Sequence, residues 1–284
     1  MKKTKALLGF LMGIFAAVLF FALFSLISYY MGINEGQELY DELAQLVQEA
    51  KPTQPTVDAT EPITSDPDAT EPAPTEPQLV EAVSSETGET IMILPEYKPI
   101  YELNDDFVGW ICIEGTNINF PVLYKPKLQD YYLDRNFYGE YSNQGAIYVR
   151  EACDPFTPSD NVVIYGHRMM AGTMFAKLHE YKSKEFWQAH PYIQFDSLTE
   201  HRSFEILAVF SIDSTPDSDF LYHEFVNAAN AEEFDTFVRQ CKRYALYDTG
   251  VTAQLGDKLT TLSTCDGESG GVQRLVVVAK LVTE

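Results

Sequence analysis

The chain has 284 residues, 45% of them apolar and 13% aromatic, enough material for one large domain with appendages. Its formal net charge of -22 excludes a nucleic-acid surface, because neutralising phosphates takes clustered lysine and arginine. It also lacks the GxGxxG, Walker-A, GxSxG and HExxH patterns, so the chemistries that depend on them have no foothold.

In chain order, the first predicted element is a membrane anchor. Lys2, Lys3 and Lys5 precede Ala6–Tyr30, a run without a charged residue. At ~1.5 Å per residue it reaches roughly 37 Å, enough to cross a ~30 Å hydrocarbon layer with some tilt. A cleaved secretory signal would have a shorter apolar region and a small-residue cleavage site. Here the run ends in Ser28, Tyr29 and Tyr30, and tyrosine suits the membrane interface. The lysines place residues 1–5 in the cytoplasm and everything after Tyr30 outside.

Residues 31–50 read as a short juxtamembrane amphipathic helix, with Leu39, Leu43, Leu46 and Val47 at helical spacing. Residues 51–95 hold nine Asp or Glu and a single Lys, and "DATEP" occurs twice within them. A Pro/Thr/acid composition of this kind buries too little apolar surface to fold. We read it as a disordered stalk, ~40 Å long if coiled and ~140 Å if polyproline-like, that holds a domain off the membrane.

The domain itself spans residues 96–284. "FVGWICIEGTNINFPVLY" alternates apolar and polar residues around Gly-Thr-Asn, as a hairpin does. "GAIYV", "NVVIYG", "YIQF", "SFEILAVFSI", "KLTTLSTC" and "RLVVVAKLV" are further short β-like runs. "TMFAKLHEYKSKEFWQAH" and "NAEEFDTFVRQCKRYALY" carry helical spacing between them. Many short strands with a few interposed helices predict a mainly β fold, a closed or nearly closed barrel.

Four cysteines invite the idea of disulfides outside a membrane, but the spacings are wide and no CxxC occurs. Cys112 and Cys241 read as small buried hydrophobes in a strand and a helix. Cys265 ends a strand-like run and opens the loop Asp-Gly-Glu-Ser-Gly-Gly, where a half-exposed nucleophile would sit. No HxH or HxxxH pair occurs among the five histidines, so no metal site and no cofactor is expected. His179, His190, His201 and His223 read as surface residues. His167 follows "NVVIYG" directly, the same kind of position that Cys265 occupies, and its competing reading is a structural histidine. Arg274 opens the last strand-like run at the mouth of the Cys265 loop, and its competing reading is a surface ion pair. Thiolate nucleophile, proton carrier and oxyanion clamp together make a complete acyl-transfer set.

On "VGWICIEGTNINFPV", "YYLDRNFYGEYSNQGAIYV", "NVVIYGHRMMAGTMFAKLHEY", "YALYDTG" and "LTTLSTC" with its later Arg, the chain from residue 100 onward resembles the sortases. The helix-bearing insertion around 220–246 makes it similar to class B. The resemblance implies an eight-stranded β-barrel with flanking helices and a catalytic triad of His167, Cys265 and Arg274. It also implies that Ser263 and Thr264, in the TLxTC motif, line the substrate groove. The implied reaction is cleavage of a C-terminal sorting motif of secreted proteins after its threonine, through a thioacyl enzyme. An amine of a peptidoglycan precursor or a pilin then releases the product, at a Gram-positive-type cell surface. Two alternatives compete: a cysteine peptidase that passes the acyl group to water, and a non-enzymatic stalked binding protein.

Overall fold

A computed structural model describes residues 2–52, 78–267 and 271–283, without the side chains of residues 2–11, 27–31 and 33–35. Helix α1 (Lys2–Ala50) is followed by the hairpin β1 (Val80–Val83) and β2 (Thr90–Ile93) and by the short helix α2 (Lys98–Leu103). Strands β3 (Phe107–Cys112), β4 (Asn119–Leu123), β5 (Ile147–Val149) and β6 (Asn161–Tyr165) come next. A 3-10 helix (Phe175–Lys182) and α3 (Lys184–Ala189) lead into β7 (Tyr192–Ser197) and β8 (Ser203–Asp213). The chain then forms α4 (Ala231–Tyr244), β9 (Leu259–Cys265) and β10 (Gln273–Leu281).

Strands β3 to β10 close into an eight-stranded barrel in the order β10-β8-β7-β3-β4-β5-β6-β9, so no barrel edge is left open for another chain to pair with. The continuous apolar run of β10 has a physical reason. Leu275, Val277 and Ala279 enter the main core, while Val276 and Val278 face a second cluster under Phe234, Phe237 and Val238 of α4. With period-two alternation, a strand covered on both faces is apolar at every position. Asn230 caps α4 through Glu233 N–H, with Glu232 and Glu233 in the first turn and Lys242 and Arg243 in the last, each sign suited to the helix dipole.

Two differences from the sequence reading concern the segments before the barrel. Residues 53–77 of the stalk lie outside the described residues, but its last part is folded. Ile93 and Leu94 are fully buried, and Asp105 accepts from Ser85 N–H (2.9 Å) and Glu86 N–H (2.8 Å) to hold the β1–β2 turn. The acidic, Pro-rich composition hid this hairpin, whose apolar residues depend on α2 and β3 for burial. The folded domain therefore begins near residue 78 and not at 96.

The second difference concerns α1, which runs as one helix where the sequence reading had an anchor and a separate juxtamembrane segment. Tyr40, Leu43 and Val47, at i, i+3 and i+7, are buried in the main core of the barrel domain, while Leu46 is exposed. The Tyr40 hydroxyl donates to the Gly145 carbonyl at 3.0 Å, and its ring meets Phe120 edge-on at 5.4 Å. Burying Leu43 and Val47 contributes ~1.5–3 kcal/mol each. Lys51 lies beside Trp110 and Asp196, and Leu79 packs on the same core, so both ends of the intervening segment sit on the domain. Its length does not set the distance between α1 and the barrel. Among the described residues no helix is long and apolar enough to cross a membrane.

A protease site engineered between residues 53 and 77, once cut, is expected to leave residues 36–50 co-eluting with residues 78–284 on gel filtration. Leu43→Asp should separate them. Separation of the two pieces with Leu43 intact would contradict the docking of α1.

Candidate active site

The site follows from strand direction. β6 and β9 pair in parallel, Asn161 with Leu259 through to Tyr165 with Ser263, so both strands end at the same rim of the barrel. Two residues further on, His167 and Cys265 hold equivalent positions at neighbouring strand ends. β10 runs antiparallel to β9 and places Arg274 directly opposite Cys265. Asp266 N–H donates to Gln273 O at 2.9 Å, which makes Cys265 and Arg274 a non-hydrogen-bonded pair, the kind whose side chains stand closest. His167, Cys265 and Arg274 are each half-buried.

Local packing fixes the histidine. A Cβ at Gly166 would lie 2.4 Å from Ile147 Cδ1 and 2.6 Å from Phe175 Cδ2, so this position admits no side chain without displacing its neighbours. His167 Nε2 makes a 2.7 Å hydrogen bond to the Leu133 carbonyl. That carbonyl is held in turn by a tight return at Gly145, which has φ +58° and where a Cβ would approach Leu133 O to 2.4 Å. Arg274 Nη1 donates to the carbonyls of Gly271 (2.7 Å) and Gln273 (3.1 Å). Its Nε and Nη2 donors have no partner among the described residues, and no described carboxylate forms an ion pair with it.

All five residues expected from sequence line one cavity of about 290 Å³, together with Leu133, Tyr165, Tyr222 and His223. Ser263 and Thr264 are buried in its wall. The Ser263 hydroxyl is already engaged with Tyr222 Oη at 2.7 Å, whereas Thr264 Oγ1 has no partner among the described residues. Arg150 straps the far side: it donates to the His223 carbonyl and, at 2.7 Å, to Glu224 Oε1, fixing the segment that carries Tyr222. Sequence reasoning missed Leu133, Arg150 and Tyr222. Leu133 lies inside the quoted "YYLDRNFYGE" run, but nothing in that run marks a backbone carbonyl as a contact.

Burial is the first cause of a raised pKa at each of the other three cysteines. It pushes the Cys153 thiol up to about 11, raises Cys241 well above the usual range and raises Cys112. Such thiols are poor nucleophiles near neutral pH. All four cysteines are free. His179, His190 and His223 depart from the surface positions expected of them, each being half-buried. His223 is half-buried on the cavity wall, where burial first and Arg150 second lower its pKa. His179 lies in the 3-10 helix with Nε2 2.9 Å from the Cys265 carbonyl. Among the described residues, no cluster of His, Cys, Asp or Glu is placed to hold a metal ion.

A thiol flanked by imidazole and guanidinium on a closed barrel rim is the equipment of a cysteine acyl-transfer enzyme. The comparisons narrow the class. Residues 111–282 match the Sortase domain family. Sortase B of Listeria monocytogenes is 33% identical over 204 residues, covering 72% of this chain and 79% of that protein. Sortase B of Staphylococcus aureus is 29% identical over 191 residues, covering 67% of this chain and 76% of that one. The crystal structure of Bacillus anthracis sortase B in complex with AAEK1 superposes with a TM-score of 0.66 at 27% identity, covering 90% of this chain and 100% of that one. The chain belongs to the sortase family, in its class B, and is a cysteine transpeptidase.

Thr264 offers a test that separates binding from stability. Leaving a buried hydroxyl unpaired costs ~1–3 kcal/mol, and valine has the same shape without that group. Thr264→Val is expected to raise the melting temperature while lowering kcat/KM. An unchanged kcat/KM would show that the hydroxyl does not meet substrate.

Proposed function

We propose that the protein is a membrane-anchored transpeptidase that cuts a C-terminal sorting motif of secreted proteins after its threonine and joins the acyl fragment to an amine of a peptidoglycan precursor or a pilin. The observation that carries this reading is the convergence of His167, Cys265 and Arg274 at three adjacent strand ends around one cavity, in a class B sortase chain. In the first half-reaction the Cys265 thiolate attacks the threonine carbonyl. The C–S bond forms, the oxyanion is held by the Nε and Nη2 donors of Arg274, and the C–N bond breaks as His167 protonates the leaving amine. In the second half-reaction His167 takes a proton from the incoming amine, which displaces Cys265 and leaves an amide product. Thr264 contributes a hydroxyl at the cavity wall, and Ser263 holds Tyr222 in place.

Exposed side chains support the anchor. In α1, Phe15, Phe20, Phe21 and Phe24 are each more than half exposed, and their positions go around the helix instead of forming one face. A helix apolar on all sides needs an apolar surround. The described apolar run, Met12–Leu26, reaches ~22 Å at ~1.5 Å per residue, and the sequence continues it to Ala6 and Tyr30. With Lys2, Lys3 and Lys5 on the cytoplasmic side, the catalytic domain stands outside the cell. Because α1 docks on the barrel, that domain is held near the membrane surface. The full chain is expected in the membrane pellet and a variant lacking residues 6–30 in the supernatant; a full chain found in the supernatant contradicts the anchor.

Kinetics on folded variants test the roles. Losing one oxyanion donor costs ~10²–10³ in kcat, so Arg274→Ala should fall by that much. Arg274→Lys keeps the charge without the planar fork and should recover little. An ion pair on the surface would be worth at most ~1 kcal/mol of stability and nothing in turnover. His167→Ala should lose ~10²–10⁴, and Cys265→Ala all activity. Adding an amine acceptor should convert hydrolysed product into ligated product; if water alone accepts the acyl group, the enzyme acts as a peptidase on that substrate.

A further inference from the structure

The ladder between β6 and β9 has a missing rung next to the thiol. Gly166 N–H donates to the Ser263 carbonyl at 3.2 Å. In a parallel pair continued past this point, the Cys265 carbonyl would accept a rung from the residue 168 N–H. It is not made, because the chain turns away at His167: the His167 carbonyl accepts from Phe175 N–H at 2.9 Å, and Arg168 bridges to Met174. On its other side Cys265 belongs to a non-hydrogen-bonded pair with Arg274, so β10 supplies no donor either. The strand that delivers His167 thus leaves the nucleophile's own carbonyl without a backbone partner.

A side chain fills the gap. His179 Nε2 lies 2.9 Å from the Cys265 carbonyl, and the imidazole side chain is 18% exposed. Phe175, Leu178 and Tyr181 are buried at a spacing of three, the period of a 3-10 helix, which locks this helix under the barrel rim. Burial, with Arg168 and Lys182 adding to it, lowers the His179 pKa against the opposing pull of the Cys265 carbonyl and Asp266. A carbonyl can only accept, so the nitrogen that meets Cys265 carries the N–H. Its Nδ1 is 3.6 Å from Asp266 Oδ1, and Lys182 Nζ donates to the same carboxylate oxygen. Two consecutive residues, Cys265 and Asp266, are thus held from this one helix.

We propose that His179 is a positioning residue for Cys265: it supplies the donor that the β6–β9 ladder omits and so holds the strand end that carries the thiol. The inference rests on Cys265 being the nucleophile. It explains how β6 releases its chain to present His167 without loosening the cysteine on the neighbouring strand. A neutral Nε2–H tautomer and a fixed Cys265 carbonyl are what this arrangement requires.

The test is steady-state kinetics on full-chain His179→Phe and His179→Gln, with thermal melting in parallel and Cys265→Ala as reference. Phenylalanine keeps the ring and removes the donor; glutamine keeps an N–H at similar reach. His179→Phe is expected to lose about tenfold or more in kcat with KM within about threefold, and His179→Gln to recover to within about threefold of the parent. A folded His179→Phe that keeps kcat within about threefold, or a His179→Gln as impaired as His179→Phe, overturns the proposal. Should His179→Phe fail to fold, ¹⁵N NMR of the parent decides: an Nε2–H tautomer at neutral pH supports the proposal, and an Nδ1–H tautomer overturns it. Turnover that survives Cys265→Ala would instead overturn the nucleophile reading itself.

Discussion

The parallel pairing of β6 with β9 is the constraint on which the rest of the site depends. Parallel strands end at the same rim, and β10, antiparallel to β9, must begin where β9 ends. Side chains from three neighbouring strands are thereby delivered to one place without any of them sitting on a long loop. A slip of one residue would turn Cys265 to the opposite face, so the register has to be pinned. Buried polar groups pin it: Thr261 Oγ1 donates to Asn161 Oδ1 at 2.7 Å, and Thr260 Oγ1 donates to the Val162 carbonyl at 3.2 Å. Asn161 is fully buried and donates in turn to Phe225 O at 2.9 Å, which joins this register lock to the segment around Tyr222. Any other register would strand these groups unpaired, at a cost well above that of a lost surface contact.

Two satellite contacts turn the rim into a cavity. The second hydrophobic cluster, with α4 laid over β8 and β10, supports the chain that returns through Phe220 and Tyr222. Arg150 then ties His223 and Glu224 back to the barrel, so the wall opposite Cys265 is braced by charge-assisted hydrogen bonds. On the other side, α1 reaches the catalytic rim through one loop. Tyr40 holds Gly145, and the tight return at Gly145 sets the Leu133 carbonyl that meets His167. Docking of the N-terminal helix and orientation of the His167 imidazole are thus linked through residues 133–145.

Much of this was legible in the sequence. Period-two runs and the doubly covered apolar strand near the C-terminus betray a closed β architecture, and a cysteine that ends one strand-like run with a histidine just past another betrays a shared rim. What escaped did so for physical reasons. The β1–β2 hairpin sits in an acidic Pro-rich stretch and owes its burial to α2 and β3, so composition alone reads it as stalk. The run that holds Phe175, Leu178 and Tyr181 carries helical spacing in the sequence, but only the structure shows a 3-10 helix that turns His179 toward Cys265. Contacts made through carbonyls, such as Leu133 to His167, leave no trace in residue identity. The docking of α1 is a tertiary choice: Tyr40 adds the position that makes Leu43 and Val47 a core face, while Leu46 stays in solvent.

The most direct measurement is intact-mass and peptide-mapping spectrometry of the full chain after brief exposure to a sorting-motif peptide, quenched in acid before release. The account predicts a single adduct equal to the N-terminal peptide fragment, mapped to Cys265 and lost when an amine acceptor is added before the quench. An adduct on Cys112, Cys153 or Cys241, or steady turnover with no adduct on Cys265 at any time, would contradict it.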